Sequence, residues 1–348
     1  MSSIDFTQTE LSHLITHHTG NKLRQEDIIL STAPTEIEED SRDYLLSYFI
    51  QPFKAEEFYS FTHPLQLDLN EVFTVAQQLF ANNKDFVQLS QSIAKLLYEQ
   101  STHPKIKEGE LNVALLTNIV LNNETVTAIG IFKSETDTPF IKMKSGNKKF
   151  NITHDFGFEL KGMDKGCLIF NTAANDGYKV LIVDTASKSA EAHYWKDDFL
   201  KLKPINDEFH QTNQFLGITK NFVTKQIAQE FEVSKADRID LLNRSVEYFK
   251  THQSFDKGEF EQEVFKDQSL IKSFRSFDEN YRENHDIELQ DTFDISPQAV
   301  KKQAKVFKSV LKLDKNFHVY IHGDRSLIQQ GVENDGRKYY KIYFEQEL

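Results

Sequence analysis

The sequence predicts an α+β fold. N-terminal helices accompany a mainly antiparallel sheet, and a helical C-terminal half follows, ending in a basic helix and a β-hairpin. Three observations carry this. Apolar residues recur at helical spacing in two blocks, one before residue 100 and one after residue 206. Between Leu111 and Asp184 the pattern changes to short β-branched runs punctuated by Asn-Asn, Ser-Gly-Asn and Asn-Asp-Gly. Those runs stand too close together for parallel βαβ units, whose crossovers need a dozen residues or more. A boundary near Pro204 divides the chain into a mixed domain at 1–205 and a helical domain at 206–348.

Taken in order, residues 4–16 fit a strand or a short helix, because Phe6, Leu11, Leu14 and Ile15 keep no single period. A strand is expected over Asp27–Ser31. Thr35–Phe53 reads as a helix, with Glu36, Glu38, Glu39 and Asp40 in its first turn and Ile37, Tyr44, Leu45 and Tyr48 along one face. Asn70 caps a helix that runs through Phe80, and Lys84–Glu99 forms another, with Phe86, Leu89, Ile93 and Leu96 or Leu97 as its stripe. Strands are expected at 111–121, 126–133, 140–144, 148–153, 156–160, 167–171 and 180–184. The hairpin around Ser145-Gly-Asn147 gathers Lys142, Lys144, Lys148 and Lys149 into a secondary basic spot, which fits DNA contact or the blunting of an exposed edge. In the second half, helices are expected at 209–231, 234–251, 257–265 and 268–284, with Ser234 and Asp237 arranged as an N-terminal cap.

The last fifty residues are the chemically distinctive part. Ser296 and Pro297 open a helix as N-cap and first-turn proline, and that helix carries Lys301, Lys302, Lys305 and Lys308. Its buried face is expected to be Val300, Ala304, Phe307 and Leu311. Strands at 316–322 and 337–344 follow as one hairpin. Alternation sends Tyr340, Ile342 and Phe344 inward and leaves Arg337, Tyr339, Lys341 and Tyr343 outward. Cations mixed with aromatics suit a phosphate-bearing partner, and they are also ordinary residents of a solvated hairpin face.

Two motifs here, KLDKNFHVYIHGDR at 312–325 and GRKYYKIYF at 336–344, together with VSKADRIDLLN at 233–243, resemble the bacterial nucleoid-associated NdpA family. The resemblance covers roughly the last 140 residues. It implies a cytoplasmic protein of the bacterial nucleoid whose partner is double-stranded DNA, with other nucleoid proteins as further partners. It assigns no catalytic residue.

Composition bounds the remaining classes. The net charge of −12 opposes binding to a polyanion as a whole. Residues 296–348, however, hold eight Lys and two Arg against three Asp and three Glu, a net of +4, leaving −16 elsewhere. No run of eighteen apolar residues is present, so no membrane span is expected, and the first residues lack the pattern of a secretory signal. The single cysteine, Cys167, lies in an apolar run and is expected to be a buried structural thiol. Neither a phosphate-cradling glycine loop nor a nucleophile elbow occurs. His318 and His322, four apart on a strand, are about 13 Å apart and cannot chelate one metal alone.

The sharpest enzymatic pattern is Asp155, Glu159 and Lys161, which on a continuous strand would share one face as in metal-dependent nucleases. The leading expectation is nonetheless a non-enzymatic DNA-binding protein without cofactor or metal. Its phosphate contacts would come from Lys301, Lys302, Lys305, Lys308, Arg325, Arg337, Lys338 and Lys341, with His318 and Tyr339 nearby. The alternatives are a protein-interaction module that uses the tyrosine-rich hairpin, and a metal nuclease. Sequence preference and oligomeric state are open at this point.

Overall fold

The computed structural model describes residues 3–54, 57–147, 149–185, 194–305, 307, 310–320 and 327–346. The chain forms two compact units, Met1–Ile205 and Asn206–Leu348. Helices and mainly antiparallel strands make it an α+β protein.

The first unit contains β1 (Ile4–Asp5), β2 (Glu10–Thr19), β3 (Ile28–Ile29), α1 (Arg42–Ile50), β4 (Tyr59–Phe61), α2 (Glu71–Ala81) and α3 (Phe86–Gln100). Then come β5 (Gly109–Leu121), β6 (Glu124–Ser134), β7 (Thr138–Gly146), β8 (Lys149–Gly157), β9 (Lys165–Phe170), β10 (Lys179–Asp184) and β11 (Leu202–Pro204). The ambiguous first segment is thus extended, with β1 and the start of β2 separated by a turn. The expected helix at 35–53 starts only at Glu39, with a 3-10 turn, and Tyr44 from its expected apolar face is 64% exposed. Asn70 caps α2 as its sequence position suggests. Its side-chain oxygen accepts from the Phe73 amide at 3.1 Å, while its Nδ2 donates to the Leu200 carbonyl at 3.0 Å.

Among the described residues one nine-stranded sheet runs β11-β4-β10-β9-β6-β5-β2-β3, with β1 beside β5. Alternation along the central strands divides the core in two. Leu111, Val113 and Leu115 of β5, with Cys167 and Ile169 of β9, join the side covered by α2 and α3. Ala114, Leu116, Leu168 and Phe170 point to the opposite side, where Tyr48 and Phe49 of α1 pack. The Cys167 thiol is fully buried, and desolvation pushes its pKa far above the ordinary value, as a structural thiol requires. The meander has one interruption. β6 pairs with β9 directly, and the β7–β8 hairpin between them leaves the sheet as a separate two-stranded ribbon.

The second unit begins with α4 (Glu208–Asn221), continued by a π turn at Phe222–Gln226 and a helical turn at Ile227–Glu230. It goes on through α5 (Lys235–Thr251), β12 (Ser254–Asp256), α6 (Gln268–His285), β13 (Thr292–Asp294) and α7 (Pro297–Ala304). The unit ends with β14 (Val310–Leu313), β15 (Phe317–Tyr320), β16 (Ile328–Val332) and β17 (Lys338–Ile342). Ser234 and Asp237 form a complete capping box at α5: the Asp237 amide donates to the Ser234 hydroxyl at 3.1 Å and the Ser234 amide to Asp237 at 3.0 Å. Phenylalanines fill the core, with Phe215 4.3 Å from Phe255 and 5.1 Å from Phe260, ring centre to ring centre.

The end of the chain departs from expectation in three ways. The basic helix stops at Ala304, so Leu311, expected on its buried face, lies in β14 and is buried there instead. The strands at 317–320 and 338–342 do not pair with one another. β14 pairs with β15 and β16 with β17, making two hairpins where one was expected. Ile342 and Phe344, expected inward, are 48% and 68% exposed; of the expected inward set Tyr340 alone packs on the small core that Ile239, Leu311 and Ile328 form among the described residues under these hairpins.

Candidate nucleic-acid interface

The basic island rests on a well-anchored helix. Ser296 caps α7 by accepting from the Ala299 amide, and its own amide donates to the Thr212 hydroxyl of α4 at 3.0 Å. Gln303 Nε2 donates to the Asn213 side-chain oxygen at 2.6 Å. With Val300 and Phe307 in the core, Lys301 and Lys302 in the last turn and Lys305 just beyond it face solvent. Cations at a helix C-terminus are favoured by its dipole. Lys302 is partly engaged, its ammonium lying 5.2 Å from the centre of the Phe209 ring. Neither Lys301 nor Lys305 pairs with a described carboxylate within 4 Å. Lys308 lies outside the described residues, so the expected lysine stripe is followed only through 305.

The hairpins sort the remaining candidates by face. On β14–β15, Lys312 and His318 are cross-strand partners and both are exposed. Lys312 joins the candidates only here, because helical spacing in its segment conceals the strand that presents it. On β16–β17, Tyr339 and Lys341 share the face of Gln329 and Gly331, and the Tyr339 ring lies directly over Gly331. The lysine ammonium of Lys341 is 5.0 Å from the Tyr343 ring centre, and the Tyr343 hydroxyl donates to Gln329 at 3.0 Å. Lys338 sits on the opposite face, beside Tyr340 and across from Val332. Arg337 is held by Asp335, with Nε donating to Oδ2 at 2.7 Å, which reduces its value to a phosphate. Arg325 lies outside the described residues. Exposed aromatics accompany these cations, with Phe317, Tyr320 and Phe344 each near two-thirds exposed.

The secondary spot is less cationic than its sequence implies. Lys142 donates to Asp155 at 2.5 Å, holding that carboxyl below the usual range, and its ammonium lies 5.2 Å from the Phe140 ring centre. Lys144 and Lys149 remain exposed, and Lys148 lies outside the described residues. The same pairing engages Asp155 of the nuclease pattern. β8 ends at Gly157, and the Gly162 amide donates to the Glu159 carbonyl in a turn, so Asp155, Glu159 and Lys161 do not share a strand face.

Two clusters were not foreseen. Lys133 and Lys165, buried in the first unit, meet Glu135 and Asp184 at 3.0 and 2.8 Å; Lys133 also donates to the Lys107 carbonyl at 2.6 Å. Their signal was a lysine within each of two otherwise apolar strands. In the second unit His252, Glu259 and Glu263 bring ligand-type atoms within 4.8 Å of one another. Tyr248, which stacks on His252, donates its hydroxyl to Glu259 at 2.9 Å.

No helix among the described residues is long and apolar enough to cross a membrane. No curated protein matches the chain. A family model described as nucleoid-associated protein YejK matches residues 13–339, nearly the whole length, and it is the family that the C-terminal motifs resemble under the name NdpA. The chain belongs to this nucleoid-associated family.

Proposed function

We propose that the protein binds double-stranded DNA through its C-terminal basic surface, contacting phosphates with little reading of base sequence and without catalysis. The observation that carries this is the exposed cationic end of the core-anchored α7, with Lys301 in its last turn and Lys305 just beyond it. Lys302, Lys312, Lys338 and Lys341 extend the surface, with His318 and Tyr339 beside them; Lys308 and Arg325 complete the set on sequence grounds. Family membership supports a role in the nucleoid. The isolated, partly neutralised lysines of the β7–β8 ribbon fit a secondary contact.

A protein-partner reading is favoured by one observation, the exposed aromatics of the two hairpins. Salt separates the two. A gel-shift titration of the full chain against duplex DNA should lose affinity steeply between about 50 and 200 mM salt. Affinity for DNA that is absent at low salt, or flat with salt, would hand the surface to a protein partner. Incubation with plasmid and Mg²⁺ or Mn²⁺ should leave the DNA intact.

A further inference from the structure

The β7–β8 ribbon pairs with no other described strand. Cross-strand partners share a face, so its register sorts the side chains. Lys142, Lys144, Lys149 and Asp155 lie on one face with Phe140. Ile141, Met143, Phe150, Ile152 and Phe156 lie on the other, with His154 the only titratable group among them. That second face is bare: the five apolar side chains are 67%, 69%, 78%, 63% and 56% exposed. At the base of the ribbon Phe158 and Leu160, also exposed, line a groove of about 520 Å³ with Ile37, Tyr44 and Leu45. A two-stranded ribbon is marginal in water by itself, and a continuous apolar face of this kind marks a contact surface.

We propose that this face is covered by the same face of a second copy of the chain, the two ribbons stacking sheet on sheet. Three features favour that occupant. The face carries no carboxylate or ammonium, so a two-fold axis sets it against itself without repulsion. Its five side chains offer roughly 600 Å² per copy, ~1,200 Å² in all, the lower end of a specific interface before the groove is added. The ribbon cations lie on the opposite face. DNA, which needs those cations, would therefore take the other side. An anionic membrane would meet the apolar face with the lysines turned away, on a chain of net charge −12. Stacking leaves both lysine faces outward on the dimer. Self-association of this kind stands independently of DNA binding.

The test uses the full chain in sedimentation velocity, with Met143→Glu/Ile152→Glu, which places two charges on one cross-strand pair. The wild type is expected to have the mass of a dimer, and the variant half that mass with unchanged ellipticity. Cys167 is buried, so an added thiol is read cleanly. Met143→Cys should be joined into covalent dimers by a short bismaleimide, which spans the gap between stacked sheets, and Lys144→Cys, on the other face, should not. Wild-type protein that stays monomeric at about 100 µM, or a variant that remains dimeric, overturns the proposal. Equal cross-linking from positions 143 and 144 does the same. A monomeric wild type that sediments with anionic phosphatidylserine vesicles, or that loses duplex DNA binding in the double variant, assigns the face to lipid or DNA instead.

Discussion

His17 illustrates how a buried side chain becomes chemically defined. The Ser31 amide donates to its Nδ1 at 3.1 Å, so the hydrogen must sit on Nε2, which lies 3.0 Å from the Ser90 hydroxyl. The ring is only 2% exposed, and desolvation lowers its pKa to about 4. Because the folded value is depressed below the ordinary one near 6.5, the unfolded chain binds the proton more readily as acid is added. The stability tied to this group is therefore complete above about pH 6.5 and is lost as the pH falls toward 4. Between pH 8 and pH 5 the loss is about 2 kcal/mol. Urea unfolding followed by the single Trp195, buried in the same unit, should show that loss, and His17→Gln should remove most of it. An unchanged pH dependence in the variant would place the acid sensitivity elsewhere. None of this was legible from His17-His18 as a pair, since the two rings sit on opposite faces of β2 and only burial separates their roles. Lys133 and Lys165 show in the sequence only as a lysine in an apolar run: a lysine is normally exposed, and while Lys133 meets Glu135 two residues on, the pairing of Lys165 with Asp184 of the neighbouring strand is a product of register.

At the scale of elements, helices with strong stripes were legible and strand partners were not. Asn70, Ser234 and Ser296 each cap the helix that follows, because a side-chain oxygen before an apolar stripe acts locally. Strand pairing is not local. Val300, Ala304, Phe307 and Leu311 fit a period near 3.6 well enough to hide β14, although Asp314, with φ +50°, marks the tight turn that returns the chain into β15. The helical unit also supplies a packing test. Phe215 is ringed by Phe249, Phe255, Phe260 and Phe274, with ring centres 4.3 to 6.0 Å away. Phe215→Ala should cost about 3–5 kcal/mol. Two compact units allow that loss to be localised. Denaturation followed by far-UV ellipticity should acquire an early transition, while the Trp195 signal of the other unit keeps its midpoint. If both signals move together, the chain unfolds as one cooperative body.

For the whole molecule, charge distribution matters more than charge. The chain is acidic by twelve units, yet its last fifty-three residues are cationic, and those cations that are described lie on exposed surface around α7 and the two terminal hairpins. The sign of that surface was readable from composition. Its shape was not, since Arg337 is held by Asp335 and Lys142 by Asp155, and neither pairing could be assigned from spacing alone. The most direct measurement compares two charge reversals in the full chain by DNA affinity against salt. Lys301→Glu/Lys305→Glu should weaken binding to all duplex sequences alike and lower the log–log salt slope by about two, one for each phosphate left without its lysine. Lys144→Glu/Lys149→Glu removes the same charge from the ribbon and should cost much less. Equal losses from the two pairs, or a loss only from the ribbon pair, would contradict a DNA interface centred on the C-terminal helix.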